Sequence, residues 1–228
     1  MSFKILRKLK SLFLKPIVFE NIVSEPVSRD FGFSRGTPID RYYIAAFLKK
    51  YSTDIKGVAL EIAESKYAKQ FDNGVTSFEI LHVDKANRKA TIIGDLSKPD
   101  NLPENKIDCF ICTQTLNFIF DLKEAIKGCY KLLNKEGVFL GTVGGITQIS
   151  RYDMDRWGDY WRFTDLSIRK LFEERFGAEN ITIETFGNVF AANAFLQGIA
   201  VEDIQNMDIL DVRDQDYQVT IGIRAIKK

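Results

Sequence analysis

The stretch Gly57-Val58-Ala59-Leu60-Glu61-Ile62-Ala63-Glu64-Ser65 decides how this chain folds. Residues 57–63 read as a short buried strand, and a short helix is expected to follow as far as Phe71. Nucleotide-binding α/β folds often place G-x-G-x-G at this turn, where glycine lets backbone N–H groups approach a ligand closely. Here the three positions are Ala63, Ser65 and Tyr67. Ala63 and Ser65 are small and give up only part of that closeness. Tyr67 is bulky and must either part strand and helix or turn outward.

The pattern continues downstream. Residues 77–84 (SFEILHVD), 90–96 (ATIIGDL), 107–113 (IDCFICT) and 138–144 (VFLGTVG) read as strands. Residues 121–134, 164–177 and 191–200 read as helices, and 181–187 and 217–225 as the last strands. Thr164 suits an N-cap, and Gly177 falls just past its helix. Strands alternating with helices predict an α/β, doubly wound, mostly parallel sheet. Such sheets bind ligands beyond the carboxyl ends of their strands. Polar residues stand at four of those ends: Glu61, Asp84, Asp95 and the run Thr113-Gln114-Thr115.

Composition bounds the function. Of 228 residues, 45% are hydrophobic and 28% charged, as in globular proteins. A net charge of +1 argues against a general nucleic-acid binder. Three cysteines make no even disulfide framework, which suggests a reducing, cytoplasmic setting. Cys109 and Cys112 lie three apart on a strand and point to opposite faces, so they cannot share a metal or a disulfide. The single histidine, His82, excludes a histidine-rich metal site, and no metal is expected. Residues 1–15 hold five basic residues and no acid, with apolar residues at helical spacing. A peripheral membrane contact through this amphipathic segment is one reading, and a helix packed on its own domain is the other. The expected organisation is a basic segment and linker over 1–34 and one domain over 35–228.

In the order of these elements, residues 57–225 resemble the class I S-adenosylmethionine-dependent methyltransferases. The carriers are Glu61 ending the first strand, Asp84 ending the second, Gly94-Asp95-Leu96, Cys112-Thr113-Gln114-Thr115-Leu116 and the run 132–143 (LLNKEGVFLGTV). The resemblance implies a Rossmann-like seven-stranded sheet with an antiparallel terminal strand, and S-adenosyl-L-methionine as cofactor. It assigns the ribose to Asp84, the adenine to Asp95 and Leu96, and the amino-acid end to Glu61, Ala63, Glu64 and Ser65. Thr113, Gln114 and Thr115 would border the methyl group. Charge supports this choice over a dinucleotide. Glu64 would face a pyrophosphate at a cost of roughly 1 kcal/mol in water at about 4 Å, and more when buried. A zwitterionic amino acid offers an ammonium to the acids and a carboxylate to the helix start.

Residues 159–164 (Asp159-Tyr160-Trp161-Arg162-Phe163-Thr164) resemble the D-Y-W-R-F-T signature of a bacterial methyltransferase group associated with glycan assembly, as does 35–44 (RGTPIDRYYI). The resemblance implies O-methylation of a glycan or its precursor. Asp153, Asp155 and Asp159 are then candidate general bases, with Tyr152 a further one. Arg41, Tyr43, Tyr152, Arg156, Trp157, Tyr160 and Arg162 are candidate acceptor-binding residues, since aromatic faces with arginines suit sugars and phosphosugars. The alternative is a catalytically degenerate fold serving as a binding or scaffold protein, motivated by the missing glycines. A nicotinamide-dependent enzyme is a third reading, against which Glu64 argues.

Overall fold

The computed structural model describes residues 24–228. The expectation for residues 1–15 lies outside them. Seven strands form one sheet: β1 Gly57–Ile62, β2 Val75–His82, β3 Ile92–Ile93, β4 Ile107–Thr113, β5 Leu133–Gly144, β6 Ile181–Phe186 and β7 Thr220–Ile226. Their order is β3-β2-β1-β4-β5-β7-β6. Strands β1 to β5 pair in parallel, and β7 runs antiparallel between β5 and β6. The expected doubly wound sheet with an antiparallel terminal strand is therefore the observed one. The chain moves outward from β1 to β3 and returns at β4. That reversal between β1 and β4 leaves a crevice beyond their carboxyl ends.

Strand periodicity divides the core into two layers. On β4, Phe110 and Cys112 face the helices α3 (Leu122–Leu132) and α5 (Asp165–Phe176). Cys109 and Ile111 face the helices α1 (Ile39–Lys50) and α6 (Val189–Leu196). The two cysteines thus sit on opposite faces, both free and buried. Short helices complete the set: α2 Lys66–Gln70, α4 Arg151–Met154 and α7 Asp208–Asp211. Local chemistry sets the boundaries. Asp121 caps α3 by accepting from Glu124 N at 3.2 Å. Thr164 and Ser167 form a reciprocal capping box on α5, and Gly177 follows that helix with φ 83°.

Some ends differ from the periodic reading. The expected strand 90–96 shortens to Ile92–Ile93, because Asp95 turns the chain by accepting from Ser97 N at 2.9 Å. Strand β2 stops at His82, two residues before Asp84. The chain before residue 35 already packs on the domain, with Ser28 N bonded to Gln197 O at 3.1 Å and the Phe31 and Phe195 rings 6.0 Å apart. No helix among the described residues is long and apolar enough to cross a membrane.

Gly128, inside α3, lets that helix approach the β3–β4 connection. A Cβ there would lie 2.4 Å from the backbone oxygen of Leu96. Alanine normally favours a helix interior by about 1 kcal/mol over glycine, but overpacking against backbone costs roughly 1–3 kcal/mol. Gly128→Ala is therefore expected to lower the melting temperature, measured by circular dichroism.

Candidate active site

Beyond β1, β2 and β4 lies a cavity of about 570 Å³. Its apolar wall includes Ile62, Leu81, Leu96 and Ile119, and its polar groups include His82, Asp95, Ser97, Gln114 and Thr115. A second cavity of about 130 Å³ adjoins it, walled by Phe31, Phe33, Asp40, Arg41 and Asn117 and by residues of the segment 147–162. Gln114, Phe118 and Asp153 line both.

The turn after β1 explains how the site does without glycines. Ala63 adopts φ 64°, the left-handed conformation that glycine normally supplies. For a residue with a Cβ this costs roughly 1–2 kcal/mol. Ala63 N bonds Leu81 O at 3.0 Å, and Asn87 Nδ2 donates to Ala63 O at 3.0 Å, which hold the turn. The Glu61 carboxylate then accepts from Tyr67 N at 3.2 Å and Ala68 N at 2.9 Å. It satisfies N–H groups that open α2, where Ser65 makes no side-chain cap. Tyr67 turns away from the cavity, its ring stacked on Phe71 at 6.5 Å and its hydroxyl beside Arg41.

The expected cofactor residues separate accordingly. Ala63, Asp95, Leu96, Gln114 and Thr115 line the large cavity. Glu61, Glu64, Ser65, Asp84 and Thr113 do not. Glu61 is occupied by the helix start, and Glu64 projects to solvent. Asp84 bonds its own turn, Oδ1 accepting from Ala86 N at 2.8 Å. His82, two residues earlier, reaches the cavity wall instead, with Nδ1 accepting from Asp84 N at 3.0 Å.

The aromatic segment is pinned by Asn117. This buried side chain donates Nδ2 to Trp161 O at 3.0 Å, and its backbone oxygen accepts from Tyr160 N at 3.0 Å. Trp161 Nε1 donates to Ile119 O at 3.1 Å, and Phe163 enters the core. The three candidate bases differ in placement. Asp153 faces both cavities and is held by Ser150 Oγ, which donates at 2.6 Å. Asp155 reaches neither cavity. Asp159 lines the small cavity, but its oxygens accept from Arg162 at 2.6 and 2.9 Å and from Ser150 N at 2.9 Å. Burial pushes the Asp159 carboxyl up, yet Arg162 and the Ser150 N–H outweigh it and hold it below its ordinary range.

Among the expected acceptor residues, Arg41 and Arg162 line the small cavity, while Arg156, Trp157 and Tyr160 line the large one. Tyr43 is corrected. It is buried beneath α1 with its ring 5.7 Å from Phe186, because it shares the inward face of α1 with Ile39 and Phe47. Tyr152 lines neither cavity and lies under the Arg156 guanidinium at 3.5 Å. Periodicity gave no sign of Phe31, Phe33, Asn117 or Gln148, whose places depend on contacts between distant segments. Asp40 is buried with Oδ1 unpartnered, and burial raises its carboxyl.

Burial also pushes Glu61 up, to about 7, although the Ala68 and Tyr67 N–H groups favour its ionised form. The folded state therefore holds this proton more tightly than the unfolded chain. Its stabilising effect is complete below the ordinary carboxylate range and is lost as pH rises toward 7, a change on the order of 3 kcal/mol. Glu61→Gln is expected to flatten this part of the stability–pH profile, measured by urea unfolding between pH 4.5 and 7.5.

Residues 30–141 match the methyltransferase domain family. A search of curated protein sequences gives no match. Among solved structures, an S-adenosylmethionine-dependent methyltransferase from Archaeoglobus fulgidus aligns over 82% of this chain and 94% of its own, with TM-score 0.52 and 11% identity. Phosphoethanolamine N-methyltransferase 2 from Haemonchus contortus, solved in complex with S-adenosyl-L-methionine, aligns over 92% of this chain and 55% of its own, with TM-score 0.53 and 12% identity. At such identities the likeness carries the fold. Residues 30–141 thus match a methyltransferase domain, and the described residues carry the class I methyltransferase fold.

Proposed function

We propose that the large cavity takes S-adenosylmethionine, that the small one takes the acceptor, and that the methyl group passes to an acceptor oxygen beside Gln114, Phe118 and Asp153. The observation that carries this reading is the sharing of these three residues by two adjoining cavities. A volume of about 570 Å³ at the sheet's reversal point lies within the usual ligand range of about 300–1,000 Å³. The cofactor, when bound, supplies a sulfonium-activated methyl group.

The protein's own work is then mainly positioning. Asp95 and Leu96 hold the adenosine end, with Leu81 and Ile62 as its apolar bed. The Ala63 turn approaches the amino-acid end. Gln114 has φ 47°, and its backbone N bonds Thr142 O at 2.8 Å. This strained but fixed conformation keeps it between the two ligands. Asp153 takes the proton from the acceptor hydroxyl as general base. Asn117, Thr147, Gln148 and Ser150 give the small cavity an amide- and hydroxyl-rich wall beside Phe31 and Phe33. That combination suits a polyhydroxylated acceptor, which supports a glycan or glycan precursor.

Calorimetry with S-adenosylhomocysteine is expected to show one-to-one binding, weakened about tenfold or more by Asp95→Ala. With lipid-linked or nucleotide sugars as acceptors, mass spectrometry is expected to detect a product heavier by one methyl group. Asp153→Asn should slow its formation roughly 100-fold while leaving cofactor affinity unchanged. Undiminished turnover in that variant would remove Asp153 as the base.

A further inference from the structure

Large apolar side chains gather around the mouths of the two cavities. Phe33, Phe120, Ile149, Tyr152, Trp157 and Tyr160 are between 43% and 69% exposed. Phe120, Trp157 and Tyr160 line the large cavity, and the Phe120 and Tyr160 rings meet edge to face at 5.4 Å. Phe33 lines the small cavity, while Ile149, next in sequence to the lining residues Gln148 and Ser150, and Tyr152, next to Asp153, line neither cavity and are exposed beside them. Single exposed apolar residues are ordinary, but a group around one site marks an interaction surface.

Unpaired cations flank this rim. Lys85, Arg88 and Lys89 in the turn after β2, with Arg151 and Arg156, are exposed. None of these five joins an ion pair among the described residues. The His82 ring packs against Trp157 at 6.2 Å and ties that turn to the rim. Of the nearby acids, Asp84 bonds its own turn, Asp153 bonds Ser150, and Asp159 is matched by Arg162. These bonds leave the carboxylates charged, so Asp84, Asp153 and Asp155, with the exposed Glu64 beside the turn, offset most of the five cations and leave a small positive surplus at the rim.

We propose that this face docks on an anionic lipid surface, presenting the small cavity to an acceptor anchored in the bilayer. Tyrosine and tryptophan suit the boundary between headgroups and acyl chains, and the cations match anionic headgroups. The sequence's first fifteen residues, with five basic residues and no acid, carry matching chemistry. The claim about the acceptor rests on the small cavity being its site, but the docking itself can be read without methyl transfer.

The chain has two tryptophans, Trp157 at the rim and Trp161 anchored to Ile119. The full chain is mixed with phosphatidylcholine vesicles containing or lacking phosphatidylglycerol, and flotation and tryptophan emission are recorded. The anionic vesicles are expected to float the protein, shift its emission to the blue and quench it when their acyl chains are brominated. Trp157→Phe should abolish most of that quenching while the protein still floats. The double variant Phe120→Ser, Tyr152→Ser should bind these vesicles at least tenfold more weakly with an unchanged melting temperature. Flotation without tryptophan quenching would overturn the proposal by placing the contact elsewhere, as in residues 1–15. Absence of flotation would overturn it too, and self-association without vesicle binding would reassign the rim to contacts between copies.

Discussion

The carboxylate of Glu61 is the constraint on which the site depends. It ends the first strand, lies buried, and accepts from the opening N–H groups of α2. A buried carboxylate without partners would be costly, and so would the unpaired N–H groups of a helix start. Meeting one another, they fix the angle at which chain leaves sheet. Ala63 can then stay in a left-handed conformation that its Cβ disfavours. The backbone course that glycines allow elsewhere is thus imposed here by a side chain. With the turn intact, the missing glycines lose their force as an argument for a degenerate fold.

A second tether acts across the crevice. Asn117, just past β4, holds the segment that carries Tyr160 and Trp161. The aromatic wall of the large cavity and Asp153, shared with the small cavity, are therefore fixed to the strand end that bears Gln114. Methyl transfer demands little beyond placing two ligands in line. The proposed reading assigns that placement to this frame of buried polar contacts. The signature Asp159-Tyr160-Trp161-Arg162-Phe163-Thr164 divides along the same line. Trp161, Phe163 and Thr164 secure the segment, the Asp159–Arg162 pair shapes the small cavity, and Tyr160 faces the large one.

Much of the fold was legible because buried parallel strands are dense apolar runs and their helices carry caps. The run 107–113 and the helix capped by Asp121 announced themselves in this way. The site was legible only in part. That Asp95, Leu96, Gln114 and Thr115 line the large cavity follows from the rule that ligands lie beyond strand ends. Residue type alone could not show that Asp84 would bond its own turn or that Glu61 would serve a helix. Tyr43 shares the segment 35–44 with Arg41, yet helical periodicity turns it inward. Phe31 and Phe33 reach the small cavity through packing between segments far apart in sequence, which no local pattern encodes.

In the proposed reading the glycine-less turn still forms the cofactor site. Hydrogen exchange at individual amides, recorded with and without S-adenosylhomocysteine, tests it most directly. Slower exchange is expected at Ala63, Glu64, Leu96, Ser97, Gln114 and Thr115 when the ligand is added. Binding accompanied by protection elsewhere, with these amides unchanged, would contradict it.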